Sequence, residues 1–137
     1  MIDQTDLAII KLLEGDARRQ WKEIGAKVHL TGQAVASRVQ ALEEAGVITG
    51  FAARVDAAKL GRPLTAFITI FMASADHTAF RRFLAGEECI TAGHRVSGDG
   101  CYWLRADLAS HDDLNALLER LLRHGNYRLQ LSIDRIK

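Results

Sequence analysis

Cysteine is scarce in this 137-residue chain: Cys89 and Cys101 are the only two, which excludes a disulfide framework and a zinc knuckle with paired ligand spacing. The five histidines show no metal spacing either, since His29, His77, His111 and His124 fall at turns or helix ends and His94 stands alone in mid-strand. No metal and no cofactor are expected. No apolar run is long enough to span a membrane, and the opening MIDQTDLAIIKLL is acidic where a secretory signal would be basic, so a cytoplasmic protein without a membrane partner is expected. An excess of one charge is missing too: 18 Lys and Arg nearly cancel 17 Asp and Glu. That excludes coating nucleic acid by bulk electrostatics, so any such contact must come from a local face. With no nucleophile elbow and no phosphate-binding glycine loop, no catalytic residue is assigned and no enzyme is expected. What remains, 48% hydrophobic and 26% charged, is a globular composition with room for one medium core or two small ones.

The first third reads as three short helices. Leu7, Ile10 and Leu13 recur at helical spacing behind Asp3, with Asp3 and Asp6 placed as N-cap and N3 partner, until Gly15 and Asp16 stop the helix. Trp21, Ile24 and Val28 share a face of a second helix, and a third runs from Gly32 to Ala45 with Thr31 as N-cap, Val35, Val39 and Leu42 inward and Gly46 as terminator. The tight connection His29-Leu30-Thr31 and the polar outer face of Gln33, Ser37, Arg38 and Gln40 make this a helix-turn-helix. Val47 to Val55 reads as a strand or wing, and Asp56 to Leu64, with Gly61 and the only proline, Pro63, as a linker.

The pattern then changes to strand, helix, strand, strand, helix, strand. Ala66 to Met72 is a largely apolar strand, and Phe80, Phe83 and Leu84 mark a helix capped near Asp76 or Thr78. Ile90–Ser97 and Cys101–Ala109 flank the turn Gly98-Asp99-Gly100. Leu114, Leu117, Leu118, Leu121 and Leu122 form a helical stripe, and Leu129, Leu131 and Ile133 alternate in a last strand. The fold class is therefore α+β: a winged helix-turn-helix (1–55), a linker (56–64) and a ferredoxin-like βαββαβ domain (65–137) with both helices on one sheet face. Pairing Ser97 with Cys101 puts Ile90, Ala92, His94 and Val96 on the apolar face and Arg95, Trp103, Arg105 and Asp107 on the other. It also sets Cys89 opposite Ala109, about 26 Å from the hairpin end, so no intrachain disulfide is expected.

On the third helix Gln33, Ser37 and Arg38 have the amide, hydroxyl and guanidinium chemistry that reads base edges, with Thr31 and Ala34 beside them. Arg38 has a second reading, as a brace through a local ion pair. Arg18 and Lys22, with Arg19 and Lys27, suit phosphate contacts. Residues 1–60 hold eight basic and eight acidic groups, so binding by one copy should be weak and a dimer on a two-fold-related site should supply the rest. Trp103 beside arginines could stack on bases as RNA-recognition modules do, but Gly100–Leu104 lacks that module's aromatic signature and dimer packing is the favoured use.

Leu30-Thr31, Arg38-Val39-Gln40-Ala41-Leu42-Glu43, Gly46-Val47-Ile48, Gly50-Phe51, Leu60-Gly61, Val96-Ser97-Gly98-Asp99 and Ile136-Lys137, in this order over nearly the whole chain, resemble the Lrp/AsnC family of feast/famine regulators. The resemblance implies binding to double-stranded DNA and dimerisation through the sheets, with assembly to octamers. It also implies an amino acid or related metabolite as effector, held between dimers. Ser97, Gly98, Asp99 and Gly100 are the effector-binding candidates. Where the family commonly has G-D-aromatic-D, this chain has Gly98-Asp99-Gly100-Cys101, and an early Thr of the last strand is Leu129, departures that bear on which effector is held and on whether one is held at all. Two alternatives stand beside the regulator. One is a sirohaem-decarboxylase-like enzyme of the same fold, whose histidine-rich segment Ala92-Gly93-His94-Arg95-Val96 only faintly matches. The other is an assembly or ligand-binding module that no longer binds DNA.

Overall fold

Short polar side chains set the helix starts. Asp3 accepts the Asp6 amide at 2.8 Å while Asp6 accepts the Asp3 amide at 3.1 Å, a reciprocal capping box that opens α1 (Gln4–Gly15). The chain, a computed structural model describing residues 1–137, divides into two units, Met1–Arg54 and Val55–Lys137. In the first, α1 is followed by α2 (Trp21–Val28) and α3 (Gly32–Glu44), the latter capped by Thr31 accepting the Ala34 amide at 3.1 Å. Their cores meet in Ile9, Leu13, Ile24, Val35 and Val39, with Leu12, Val28, Leu30 and Ile48 packed around them. Gly46, at φ +72°, ends α3 in the left-handed conformation, and the amides of Val47 and Ile48 both donate to the Leu42 carbonyl.

The second unit begins with a short 3-10 turn at Ala57–Leu60, then runs β1 (Leu64–Met72), α4 (His77–Ala85), β2 (Ile90–Arg95), β3 (Tyr102–Leu108), α5 (His111–Leu122) and β4 (Gly125–Leu131). The antiparallel sheet has the order β2-β3-β1-β4, the ferredoxin-like arrangement expected. Alternate residues Ala66, Ile68, Ile70, Tyr102, Leu104, Ala106 and Leu108 point to one face, where they bury with Phe80 of α4 and Leu114, Leu117, Leu118 and Leu121 of α5. Asp76 caps α4 and Ser110 caps α5, each accepting an amide three residues on. On the opposite face Asp107 is buried, accepting hydrogen bonds from the hydroxyls of Thr65 at 2.6 Å and Thr91 at 3.0 Å, with Arg105 Nε 3.4 Å away. Burial raises the Asp107 pKa, but these hydroxyls and the guanidinium outweigh it and hold the carboxyl below its ordinary value. One carboxylate thereby ties β1, β2 and β3 together.

Four expectations need correction. No strand forms between Val47 and Val55: residues 49–56 have no regular structure, Gly50 adopts φ +155°, and no neighbouring strand offers a ladder. The β2–β3 hairpin is one residue out of the expected register, because Val96 donates to Cys101 O at 3.0 Å and the turn closes over four residues, with Gly98 and Gly100 at φ +87° and +88°. A one-residue slip exchanges faces. His94 therefore lies opposite Trp103, with ring centroids 6.1 Å apart, instead of on the apolar face, and Ala92 lies opposite Arg105. Arg95 lies opposite Tyr102, with its guanidinium 6.0 Å from that ring, on the helix side. A bulge between Ile90 and Ala92 returns Ile90 to the core, opposite Ala106, and Cys89 O accepts the Asp107 amide at 2.9 Å in place of the expected Ala109 pairing. Both cysteines are free thiols. Third, β4 starts earlier and ends at Leu131, because Ser132 donating to Thr65 O is the last rung that β1 can offer; Ile133 is fully exposed. Fourth, Leu122 stands at the edge of the α5 stripe and is exposed.

Candidate nucleic-acid interface and effector loop

The α2–turn–α3 element is built on close backbone approach. A Cβ at Gly25 would sit 2.3 Å from the Leu30 carbonyl oxygen, and one at Gly32 would meet the Lys22 amide nitrogen at 3.2 Å. His29 turns the chain between them at φ +59°, a left-handed cap whose amide donates to Gly25 O. Here two glycines and one strained residue fix the crossing of the two helices. Against this frame α3 buries Val35, Val39 and Leu42 and leaves Thr31, Gln33 and Ser37 exposed, with Ala34 half-buried between them. Gln40 is committed along the helix, donating to Glu44 at 3.0 Å.

Arg38 is engaged elsewhere. Its Nη1 donates to Asp3 Oδ2 at 2.7 Å and to Asp6 Oδ1 at 3.0 Å, so the two carboxylates that cap α1 also hold α3. The hydrogen bond from Arg38, followed by the Asp6 amide, holds the Asp3 carboxyl below its ordinary range, and both carboxylates raise the Arg38 pKa. The sequence shows both halves of this brace, the capping box and Arg38, without showing that they meet. Arg18 and Lys22 are exposed; the Arg18 amide is tied to Asp16 at 2.9 Å, while Arg19 Nε donates to Leu12 O at the end of α1.

In the second unit Ser97, Gly98 and Asp99 are exposed at the β2–β3 turn. Gly100 lies against β1: a Cβ there would be 2.5 Å from Thr69 Cγ2 and 3.2 Å from Ile70 O, and the next amide, Cys101, donates to Ile70 O at 2.7 Å. Both its positive φ and this approach demand glycine. The loop is thus anchored on one side and open on the other. The segment Ala92–Val96 supplies a single imidazole, His94, set against Trp103 and not among other histidines.

Residues 2–43 match the AsnC-type helix-turn-helix domain and residues 65–137 match the Lrp/AsnC ligand binding domain. The Bacillus subtilis HTH-type transcriptional regulator LrpB is 46% identical over 136 residues, covering 99% of this chain and 91% of LrpB. Bacillus subtilis LrpC superposes with a TM-score of 0.94 at 27% identity, over 100% of this chain and 98% of LrpC. The Neisseria meningitidis regulator NMB0573, solved as an L-Met complex, shares the fold with a TM-score of 0.93 at 22% identity, over 100% of this chain and 93% of that one. On both domain matches and a near full-length relative, the chain belongs to the Lrp/AsnC family of helix-turn-helix transcriptional regulators.

Proposed function

We propose that this protein binds specific double-stranded DNA sequences through α3 and that a small molecule of the amino-acid class, bound in the C-terminal unit, alters its assembly and hence its DNA affinity. The exposed row Thr31, Gln33 and Ser37 carries the reading, on a helix whose other side is buried and whose pose two glycines and an ion pair fix. In it Gln33 and Ser37, with Ala34 against a thymine methyl, read base edges in the major groove. Arg18 and Lys22 contact phosphates and set position without reading sequence. Arg38 acts through Asp3 and Asp6 by holding the reading helix in place. The exposed sheet face, with Trp103 stacked on Phe67 at 5.6 Å, pairs with a second copy, and such dimers assemble further. Ser97, Gly98, Asp99 and Gly100 are the effector contacts of this reading. The effector class is supported by the ligand-binding domain match and by a relative in fold that binds L-Met. An effector shifts DNA affinity only as far as it prefers one assembly to another. No reaction is assigned.

Fluorescence-anisotropy titration against the DNA upstream of the protein's own gene and a shuffled control, over a salt series and with a panel of amino acids, tests this reading. Tighter, salt-sensitive binding to the native DNA that one amino acid shifts is the expected result; equal binding to both DNAs with no response to the panel would sink it.

A further inference from the structure

A recess of the C-terminal unit lies beside the β2–β3 turn. It is a groove of about 500 Å³ between α4, which supplies Arg81, Leu84 and Ala85, and the free edge of β2, with Tyr102 at its floor. None of residues 97–100 lines it. We infer that this groove binds a small organic anion, a carboxylate or phosphate head on a short apolar body.

Charge gives the first argument. The lining contains Arg81 and Arg95 and no carboxylate. The ion pairs of this unit engage Arg105 and Arg120, leaving both groove arginines exposed and without an acidic partner. The register correction is what brings Arg95 here, since opposite Tyr102 it projects on the side where α4 packs.

Backbone gives the second. β2 pairs only with β3, and Val96 donating to Cys101 fixes which residues face the ladder. By antiparallel alternation His94 and Ala92 spend their amides on β3, while Gly93 and Arg95 direct theirs outward at the free edge. Two guanidinium groups and two unpaired edge amides thus belong to the lining of one groove, and an anionic head could draw on both kinds of donor.

Shape gives the third. At Gly93 a Cβ would already stand 3.2 Å from Leu104 Cδ2, so the missing side chain both lets β2 pack and leaves the groove floor open. Leu84, Ala85 and Ile90 give the wall an apolar part beside Thr91, Ala92 and His94, and the volume lies in the range of small-metabolite sites. An added peptide strand fits less well, because β2 is six residues long and broken by the bulge at Ile90/Ala92, the kind of interruption that keeps an edge from accepting another strand.

The inference goes beyond DNA binding and is tested without DNA. The ¹⁵N-labelled full-length chain is titrated with isovalerate and with isobutyl phosphate, which share an apolar body and differ in head group, and with inorganic phosphate alone. Saturable amide shifts centred on Gly93 and Arg95 with one of the two organic anions are expected, and the stronger of the two identifies the head group. Arg81→Gln and Arg95→Gln should each weaken that binding by about 10-fold or more, the scale of one charge-assisted hydrogen bond, while leaving Trp103 fluorescence and the unfolding midpoint unchanged. No saturable shift up to about 10 mM would overturn the proposal. So would shifts indifferent to both substitutions, inorganic phosphate binding as well as the organic anions, or an acidic hexapeptide binding more tightly than either.

Discussion

The two units of this chain hold themselves together differently. In the C-terminal unit twelve side chains form one buried cluster between a four-stranded sheet and two helices. In the N-terminal unit only five do so, between three short helices. A core that small leaves little margin over the conformational entropy of its chain. It is supplemented by backbone crossings at Gly25 and Gly32 and by a polar brace, Arg38 on Asp3 and Asp6. Depth of core and exactness of geometry are alternative means to one pose. The unit that must present a helix at a fixed angle relies on the second.

Each unit carries one tryptophan, Trp21 in the first and Trp103 in the second, so single-tryptophan variants report the two separately. The largest effect is expected in the deep core. Phe80 is fully buried and packs on Tyr102 at 4.8 Å and His124 at 5.3 Å between ring centroids. Phe80→Ala should cost about 3–5 kcal/mol in the Trp103 urea transition, and a shared loss in the Trp21 transition would mean that the two units do not hold themselves together separately. Next comes Gly25→Ala. Its added methyl would lie 2.3 Å from the Leu30 carbonyl oxygen, backbone that must move, so a cost of about 1–3 kcal/mol is expected in the Trp21 transition alone, with weakened DNA binding. Unchanged stability would show that the crossing is not what fixes α3.

Much of this architecture is legible in the sequence because its signals are local. Asp3 with Asp6, Thr31, Asp76 and the leucines of α5 act within one turn or along one helix face, and periodicity finds them. The misreadings share a different origin. Hairpin register depends on whether the turn closes three residues or four, and the alternation of β2 reads equally well either way until the Val96–Cys101 hydrogen bond decides it. The missing wing reflects the same limit: Val47 to Val55 has apolar residues but no partner ladder, and a strand needs both. On the candidate sites, the exposed row of α3 follows from helical periodicity. The Arg38 brace, 35 residues from Asp3, and the α4–β2 groove are products of tertiary packing that spacing alone does not reveal.

The smallest effect, and the one that tests the polar side of the comparison, concerns acid. Asp3 is held below its ordinary range by Arg38, so the folded N-terminal unit binds its proton less readily than the unfolded chain does. Such a group stabilises the fold at pH above its unfolded value of about 3.9, and the contribution disappears as pH falls through the lower folded value. Arg38 stays charged throughout, so Asp3 sets the window. Arg38→Met keeps the stem of the side chain and removes the ion pair. Its deficit in the Trp21 transition should be constant from neutral pH to about 5 and then shrink toward zero below about 4, as the Asp3 carboxylate is protonated in both proteins. Arg38 and Asp3 are partly open to solvent, so added salt should reduce their share of the same deficit at neutral pH. A deficit that persists undiminished in acid would mean that Arg38 supports α3 by packing its stem, and the N-terminal unit would then rest on apolar contact and glycine geometry alone.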